Sequence, residues 1–194
     1  MIAIVKYNAG NIRSVENALK RLNADCVISD DPKVLKNAER LILPGVGEAS
    51  SAMAYLRARG LDELIAQRTL PTLGICLGLQ LFCNHSEEGD TACMGIFDEN
   101  VKRFPPEDKV PHMGWNELHN LSGELYKNIA EASDVYFVHS FYAEVGDDTS
   151  ASCNYIMPFS ASLERDNFFA TQFHPEKSAG VGEQLLTNFL NLPL

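Results

Sequence analysis

In the stretch TLGICLGLQLF, residues 72–82, one cysteine stands between two glycines, where a short apolar run gives way to a helical one. A strand–GICLG–helix junction is a sharp turn, and glycines on either side relieve crowding where the backbone doubles back. The side chain at the apex, Cys76, then points out of the carboxyl edge of a sheet, as in a nucleophile elbow with cysteine in place of serine. The apex also sits at a helix N-terminus, whose partial positive charge favours a thiolate. The N–H of the next residue, Leu77, points where an oxyanion would form. A buried cysteine packed as a small hydrophobe satisfies the same pattern, with the glycines serving close strand–helix contact, so the motif by itself leaves both readings open. Cys26, Cys83, Cys93 and Cys153 lack glycines at this spacing and are expected to be packing residues.

A thiol nucleophile needs a base, and the base needs an orienting group. Of the five histidines, only His174, in TQFHPEKS, carries a built-in orienter. Pro175 pushes His174 into an extended conformation, and residues i and i+2 of an extended segment share a side. Glu176 can therefore reach the His174 imidazole, set its tautomer and stabilise its cation. The alternative is a solvated turn histidine with a surface acid nearby. His85 and His119 lie in polar surroundings and are expected to be solvated, whereas His112 and His139 are possible ligand contacts. LPGVG, residues 43–47, follows another strand. Its glycines, Gly45 and Gly47, allow unusual backbone angles, and a peptide N–H around Gly45 and Val46 could supply a second oxyanion donor. A tight turn is the simpler reading. LPGVG is not a phosphate loop, and NAGN at residues 8–11 is not a dinucleotide fingerprint.

The totals narrow the setting. The 194 residues are 45% hydrophobic, which suits one globular domain spanning residues 1–194. Twenty-six acidic against 16 basic residues leave a formal net charge of -10, the opposite of a nucleic-acid footprint. Five cysteines without a C-x-x-C pair argue against a zinc ribbon, a redox dithiol or a disulfide framework. No apolar run approaches the roughly 18 residues of a membrane span. MIAIVKYNAGN enters a strand at once, without the basic n-region of a signal peptide, so a cytoplasmic location is expected. No metal site or cofactor is visible, and a thiol nucleophile requires neither.

These groups must be held by a scaffold, and the first half of the chain reads as alternating β and α units. Strands are expected at Ile2–Lys6, Asp25–Ser29, in RLILPGVG and at Thr72–Ile75. Helices are expected after Asn11 (a plausible N-cap), after the Asp31–Pro32 cap, around Ala49–Arg59 and Leu61–Gln67, and at Leu77–Asn84. The second half is strand-like in GIFDENVKRF, DVYFVHSFYAEV, SASCNYI and FSASLERDNFFATQFH, with one last helix over Val181–Leu190. Pro105 to Trp115 reads as an ordered loop. The pattern is α/β: a three-layer open mixed sheet with a parallel core and an antiparallel C-terminal extension.

GICLGLQ with FHPE resembles the class I (triad-type) glutamine amidotransferases, of flavodoxin-like fold. YNAGN, PGVG, PHMGWN, FVHSFY and QFHPEKS follow one another as in the glutaminase subunits of imidazole glycerol phosphate synthase, and the resemblance spans essentially the whole chain. It implies that Cys76, His174 and Glu176 are nucleophile, base and orienter. It further implies that glutamine binds near Gly45, Gln80 and the HSFY segment, with backbone around Ser140 and Phe141 holding its α-amino and α-carboxyl ends. The implied partner is a (βα)8-barrel cyclase subunit, which uses the ammonia to form imidazole glycerol phosphate and an aminoimidazole carboxamide ribotide in histidine biosynthesis. Asn11 and Lys177, on loops flanking the site, are the interface candidates. PHMGWN would support the site floor or that interface, and Trp115, the single tryptophan, could equally be core. The freedom of Gly45 and Gly47 would let one peptide N–H turn away until the partner is loaded. Three other readings share these residues: a glutaminase of another pathway, such as anthranilate or pyridoxal phosphate synthesis, a free-standing cysteine hydrolase or peptidase, and a non-catalytic binding subunit.

Overall fold

The structure is a computed structural model that describes residues 1–7 and 10–194. Asn8 and Ala9 of the YNAGN turn lie outside the described residues. The first half of the chain alternates as its pattern requires: β1 (Ile2–Val5), α1 (Ile12–Arg21), β2 (Cys26–Ser29), α2 (Pro32–Lys36), β3 (Arg40–Gly45), α3 (Ala49–Arg57), α4 (Leu61–Ala66), β4 (Thr72–Cys76) and α5 (Leu77–Phe82). The short strands β5 (His85–Ser86), β6 (Thr91–Ala92) and β7 (Asn100–Arg103) follow, then a ribbon of β8 (His112–Glu117) and β9 (Asp134–His139). After β10 (Phe141–Ala143), β11 (Thr149–Tyr155), β12 (Met157–Arg165) and β13 (Phe168–Thr171), the chain closes with α6 (Ala179–Leu190).

The main sheet has the strand order β11-β12-β13-β4-β3-β1-β2. The five strands from β13 to β2 are parallel, and β12 and β11 add an antiparallel edge. The order β2-β1-β3-β4 is that of a flavodoxin-like doubly wound sheet. Alternation along the strands feeds two cores. Ile2, Ile4, Ile42, Leu73 and Ile75 face Val15 and Leu19 of α1 and Leu185 and Phe189 of α6. On the other face, Ala3, Val5, Leu41 and Leu43 meet Leu35, Met53, Leu56 and Leu79 of the helices α2, α3 and α5. Both faces are covered, which a parallel sheet requires. Asp31 caps α2 as expected, its carboxylate accepting from Lys33 N–H at 2.9 Å, with Pro32 in the first turn. Asn11 precedes α1 but makes no side-chain cap there.

Two elements depart from the sequence reading. PHMGWN is not loop: it begins β8, which pairs along its length with β9, His112 opposite His139. Its alternation was hidden because the outward positions carry Met113 and Trp115, and both remain more than half exposed. DVYFVHSFYAEV is not one strand. It breaks at Ser140 into β9, paired with β8, and β10, paired with β7. The last strand, β13, is also part of the parallel core, so the antiparallel extension is formed by the two strands before it.

The junction of β4 and α5 has no linking residue. An added Cβ at Gly74 would lie 2.7 Å from the Gly78 carbonyl carbon, and one at Gly78 would lie 2.0 Å from the Leu43 carbonyl oxygen. Both obstacles are backbone and cannot step aside. Gly78→Ala is therefore expected to lower the free energy of unfolding by about 2 kcal/mol or more. Urea titration of the variant against the parent chain measures this, and an unchanged midpoint would contradict the packing.

Candidate functional site

Parallel strands end at the same edge, so four segments distant in sequence converge there. β3 and β4 finish with Gly45 beside Cys76, and β13 runs alongside β4 with Thr171 beside Ile75. The chain leaving β1 brings Tyr7 and Asn11 to that edge. Cys76 adopts φ 55° and ψ -104°, a region that non-glycine residues rarely occupy. The tight junction below it holds this strained conformation. Leu77 is the first residue of α5, so its N–H lies outside the helix's own ladder.

His174 and Glu176 come together behind Cys76. His174 is extended, but Pro175–Lys177 is one 3₁₀ turn, which delivers Glu176 by a route different from a continued strand. The His174 Nδ1 lies 2.8 Å from Glu176 Oε1, with both side chains fully buried. That leaves Nε2 for the Cys76 side. Burial opposes charge on His174, yet the neighbouring Cys76 sulfur and then the Glu176 carboxylate outweigh it, so the imidazole is held above its usual pKa. The Asn11 side chain is buried and donates from Nδ2 to Glu176 Oε1 at 3.1 Å. It thus contacts the carboxylate bonded to His174, and this use of the side chain explains the missing helix cap. Lys177 is exposed, with its ammonium 5.9 Å from the Tyr136 ring centre. The thiols of the other four cysteines are all raised by burial, Cys93 to about 11 and Cys153 to about 12.

A cavity of about 320 Å³ opens onto Cys76, and Val46, Leu77, Gln80, Ser140 and Phe141 all line it. Gly45 lies beneath, paired with Cys76, and tolerates no side chain: a Cβ there would meet the Tyr7 hydroxyl at 2.2 Å and the Leu77 Cβ at 2.8 Å. Tyr7 is itself fixed by donating to the Pro44 carbonyl at 2.5 Å. Gly47 takes φ +132°, and among the described residues nothing lies within 4 Å of where its Cβ would sit. Glu88 also lines the cavity, and its carboxylate accepts from Ala49 N–H at 2.8 Å. The polar CNHSEEG stretch offered no periodic signal for it. A second cavity, of about 450 Å³, lies around α4. The arginine there, Arg68, is committed to the carbonyls of Leu35 and Ala38 and to Thr72, so it offers no comparable reactive group.

One carbonyl sets the direction of the polar groups beneath the cavity. Phe141 O can only accept, so the nearby His139 Nδ1, at 2.7 Å, carries a proton. His139 Nε2 then accepts from His112 Nδ1 at 3.1 Å, and His112 Nε2 accepts from Asn116 Nδ2 at 3.3 Å. His112 is stacked between the rings of Tyr155 and Phe137. These two histidines therefore brace the 139–141 segment from below. Gln80 reaches the same carbonyl from the other side, Nε2 to Phe141 O at 3.0 Å, and also donates to Gln172 Oε1 at 3.1 Å. Gln172, one position beyond the Thr171–Ile75 pairing, places its Nε2 3.6 Å from Cys76 Sγ. Nothing in the sequence pattern singled it out.

The glutamine amidotransferase class-I family model matches residues 4–192. A solved glutamine amidotransferase structure superimposes with a TM-score of 0.77 at 20% identity, covering 98% of this chain and 97% of that one, a likeness of fold. The chain belongs to the class-I glutamine amidotransferases, a family of enzymes. Within that class its relatives are specific. It is 57% identical over 194 residues to imidazole glycerol phosphate synthase subunit HisH of Bacteroides thetaiotaomicron, covering 98% of this chain and 99% of that protein. It is 55% identical to the HisH subunit of Bacteroides fragilis, over 98% of this chain and 99% of that one. It is thus a member of the HisH family.

Burial lowers the His112 pKa to about 4 and, more strongly, that of His139 to about 3. In the unfolded chain both would titrate near the ordinary value of about 6.5. Below that pH the unfolded state binds more protons, so stability is full above about pH 6.5 and declines as pH falls toward the folded values. Between about pH 6.5 and 5, above the carboxylate range, each histidine contributes a slope of up to about 1.4 kcal/mol per pH unit. Denaturant unfolding across this window is expected to show the decline, and His139→Gln to reduce it. A wild-type stability flat over the window would contradict the neutral pair.

Proposed function

We propose that this chain hydrolyses glutamine to glutamate and ammonia through a Cys76 thioester, and delivers the ammonia to the cyclase subunit of imidazole glycerol phosphate synthase in histidine biosynthesis. The observation that carries the reading is the strained Cys76 at a cavity floor, with the buried His174–Glu176 pair behind it. The Cys76 thiolate attacks the side-chain amide carbon. N–H groups of Leu77 and of the Gly45–Val46 loop stabilise the oxyanion. His174, held by Glu176, gives a proton to the departing ammonia, leaving a glutamyl thioester. The same imidazole then takes a proton from water, which attacks the thioester, releasing glutamate and restoring the Cys76 thiolate beside a protonated His174. Asn11, against the shared carboxylate oxygen, keeps Glu176 aimed at Nδ1.

Substrate recognition follows from the lining. Glu88 supplies a carboxylate suited to the α-ammonium of glutamine, and Ser140 and Phe141 offer backbone to its α-carboxyl end. Ammonia in water near neutral pH is protonated and lost as a nucleophile, so a useful product requires a sealed partner. The ribbon supports such a seal. Met113 and Trp115 are 59% and 54% exposed on its outer face, Trp115 packs edge-on against Tyr136, and Lys177 stands beside them. An apolar patch with an aromatic anchor and an adjacent cation is suited to docking a second protein. A (βα)8-barrel cyclase is the partner we assign to it, in the cytoplasm, with residues 1–194 acting as one glutaminase unit. A stand-alone hydrolase would have no use for this exposed face.

Glutamate release by the purified chain, alone and then with the cyclase subunit and a ligand in the cyclase site, tests the reading. Little release alone and a large rise in the ternary mixture are expected, and equal rates would remove the partner from the account. Cys76→Ala should lower turnover by about 10³-fold or more. Normal turnover with alanine at this position would exclude the thioester. Trp115→Ala should weaken complex formation by about tenfold or more, measured by titration calorimetry. Charge reversal by Lys177→Glu should weaken both binding and activation, and a variant indistinguishable from the parent would remove Lys177 from the interface.

A further inference from the structure

Cys76 Sγ has two polar neighbours besides the histidine. The Val138 carbonyl oxygen lies at 3.9 Å, a position from which it could accept a proton from a neutral thiol. Gln172 Nε2 lies closer, at 3.6 Å, and can only donate. Which end of Gln172 faces the sulfur follows from bonding and is not an arbitrary choice. Phe141 O must receive a donor, so the amide nitrogen of Gln80 faces it. The second hydrogen of that nitrogen goes to Gln172 Oε1. The Gln172 oxygen is thereby occupied, and its NH₂ is left for the sulfur. Gln172 is fully buried and Gln80 nearly so, which protects this chain from competing water.

We propose that Gln172 is a second donor to the nucleophile, fixing the position of Cys76 Sγ beside His174 before glutamine enters and favouring its anionic form over the thiol. The proposal rests on the reading of Cys76 as nucleophile. A donor stabilises the anion relative to the thiol, so its loss must raise the pH at which the sulfur ionises. The other ionisable groups around the sulfur are His174 and Glu176 beyond β13, Tyr7 beyond β1, Glu88 at the cavity wall and His139 at the end of β9. Among the described residues, the Gln172 side chain bonds Gln80 and Cys76 and none of these groups.

The test is the pH profile of Cys76 alkylation by iodoacetamide on the full chain, followed by peptide mass mapping to separate Cys76 from the other thiols. Gln172→Leu is expected to move the midpoint up by about one pH unit. In the complex with the cyclase subunit, the same change should lower kcat near neutral pH by about tenfold while KM stays within about twofold. Gln172→Glu matches the parent in size and still accepts from Gln80, but it sets a carboxylate against the sulfur, so it should move the midpoint up further. It carries the test if the leucine variant does not fold. A folded variant that keeps the parent midpoint overturns the proposal. Cys76→Ser, run in parallel, separates the two claims: full glutaminase activity in that variant would overturn the nucleophile itself, whereas its inactivity beside an unshifted Gln172 variant overturns only the donor.

Discussion

The Leu43 carbonyl oxygen comes so close to α5 that a Cβ at position 78 would sit 2.0 Å from it, and Gly78 in turn leaves no room for one at Gly74. This close approach of strand and helix is the constraint from which the site follows. It compresses the passage from β4 to α5 into a single residue, and that residue must take φ 55°. A cysteine held there cannot turn into the core with its neighbours. The question of packing against chemistry at GICLG therefore has a combined answer. The glycines serve packing, and the packing presents the cysteine.

The rest of the site depends on how a parallel sheet collects strand ends. β3, β4 and β13 finish at one edge, so Gly45, Cys76, Gln172 and His174 meet without any loop reaching far. The imidazole is fixed from several sides. Its backbone N–H donates to the Tyr136 carbonyl at 2.9 Å, its own carbonyl accepts from Ser178 Oγ at 2.7 Å, and Nδ1 is taken by Glu176. Ser178 also accepts from Tyr136 N–H at 3.0 Å. The outward-facing ribbon is thus bonded directly to the segment that carries His174.

A carbonyl that can only accept has a comparable effect on the substrate side. Phe141 O takes one donor from His139 and another from Gln80. The first fixes the tautomers of two buried histidines, and the second aligns two glutamine amides up to the sulfur. Burial holds both histidines neutral, and as neutral rings they brace the 139–141 segment. Polar networks of this kind lock geometry because a broken link would leave a buried group unpaired.

Much of this was legible in the residues alone. Period-two and helical patterning with short-range turn chemistry marked the βα units, because those signals depend on neighbours in the chain. The GICLG glycines and the His174-x-Glu176 spacing marked the chemistry for the same reason. The misses share a different cause. β8 was read as loop because its outward residues are apolar, and only its pairing with β9 makes it a strand. Asn11 fits a helix cap by local pattern, but the fold turns its side chain onto Glu176 across 165 positions of sequence. Gln172 and Glu88 carried no local signature at all. Local sequence thus specified which groups could react, whereas long-range strand pairing decided which of them meet, because contact between distant residues is a property of topology and not of spacing.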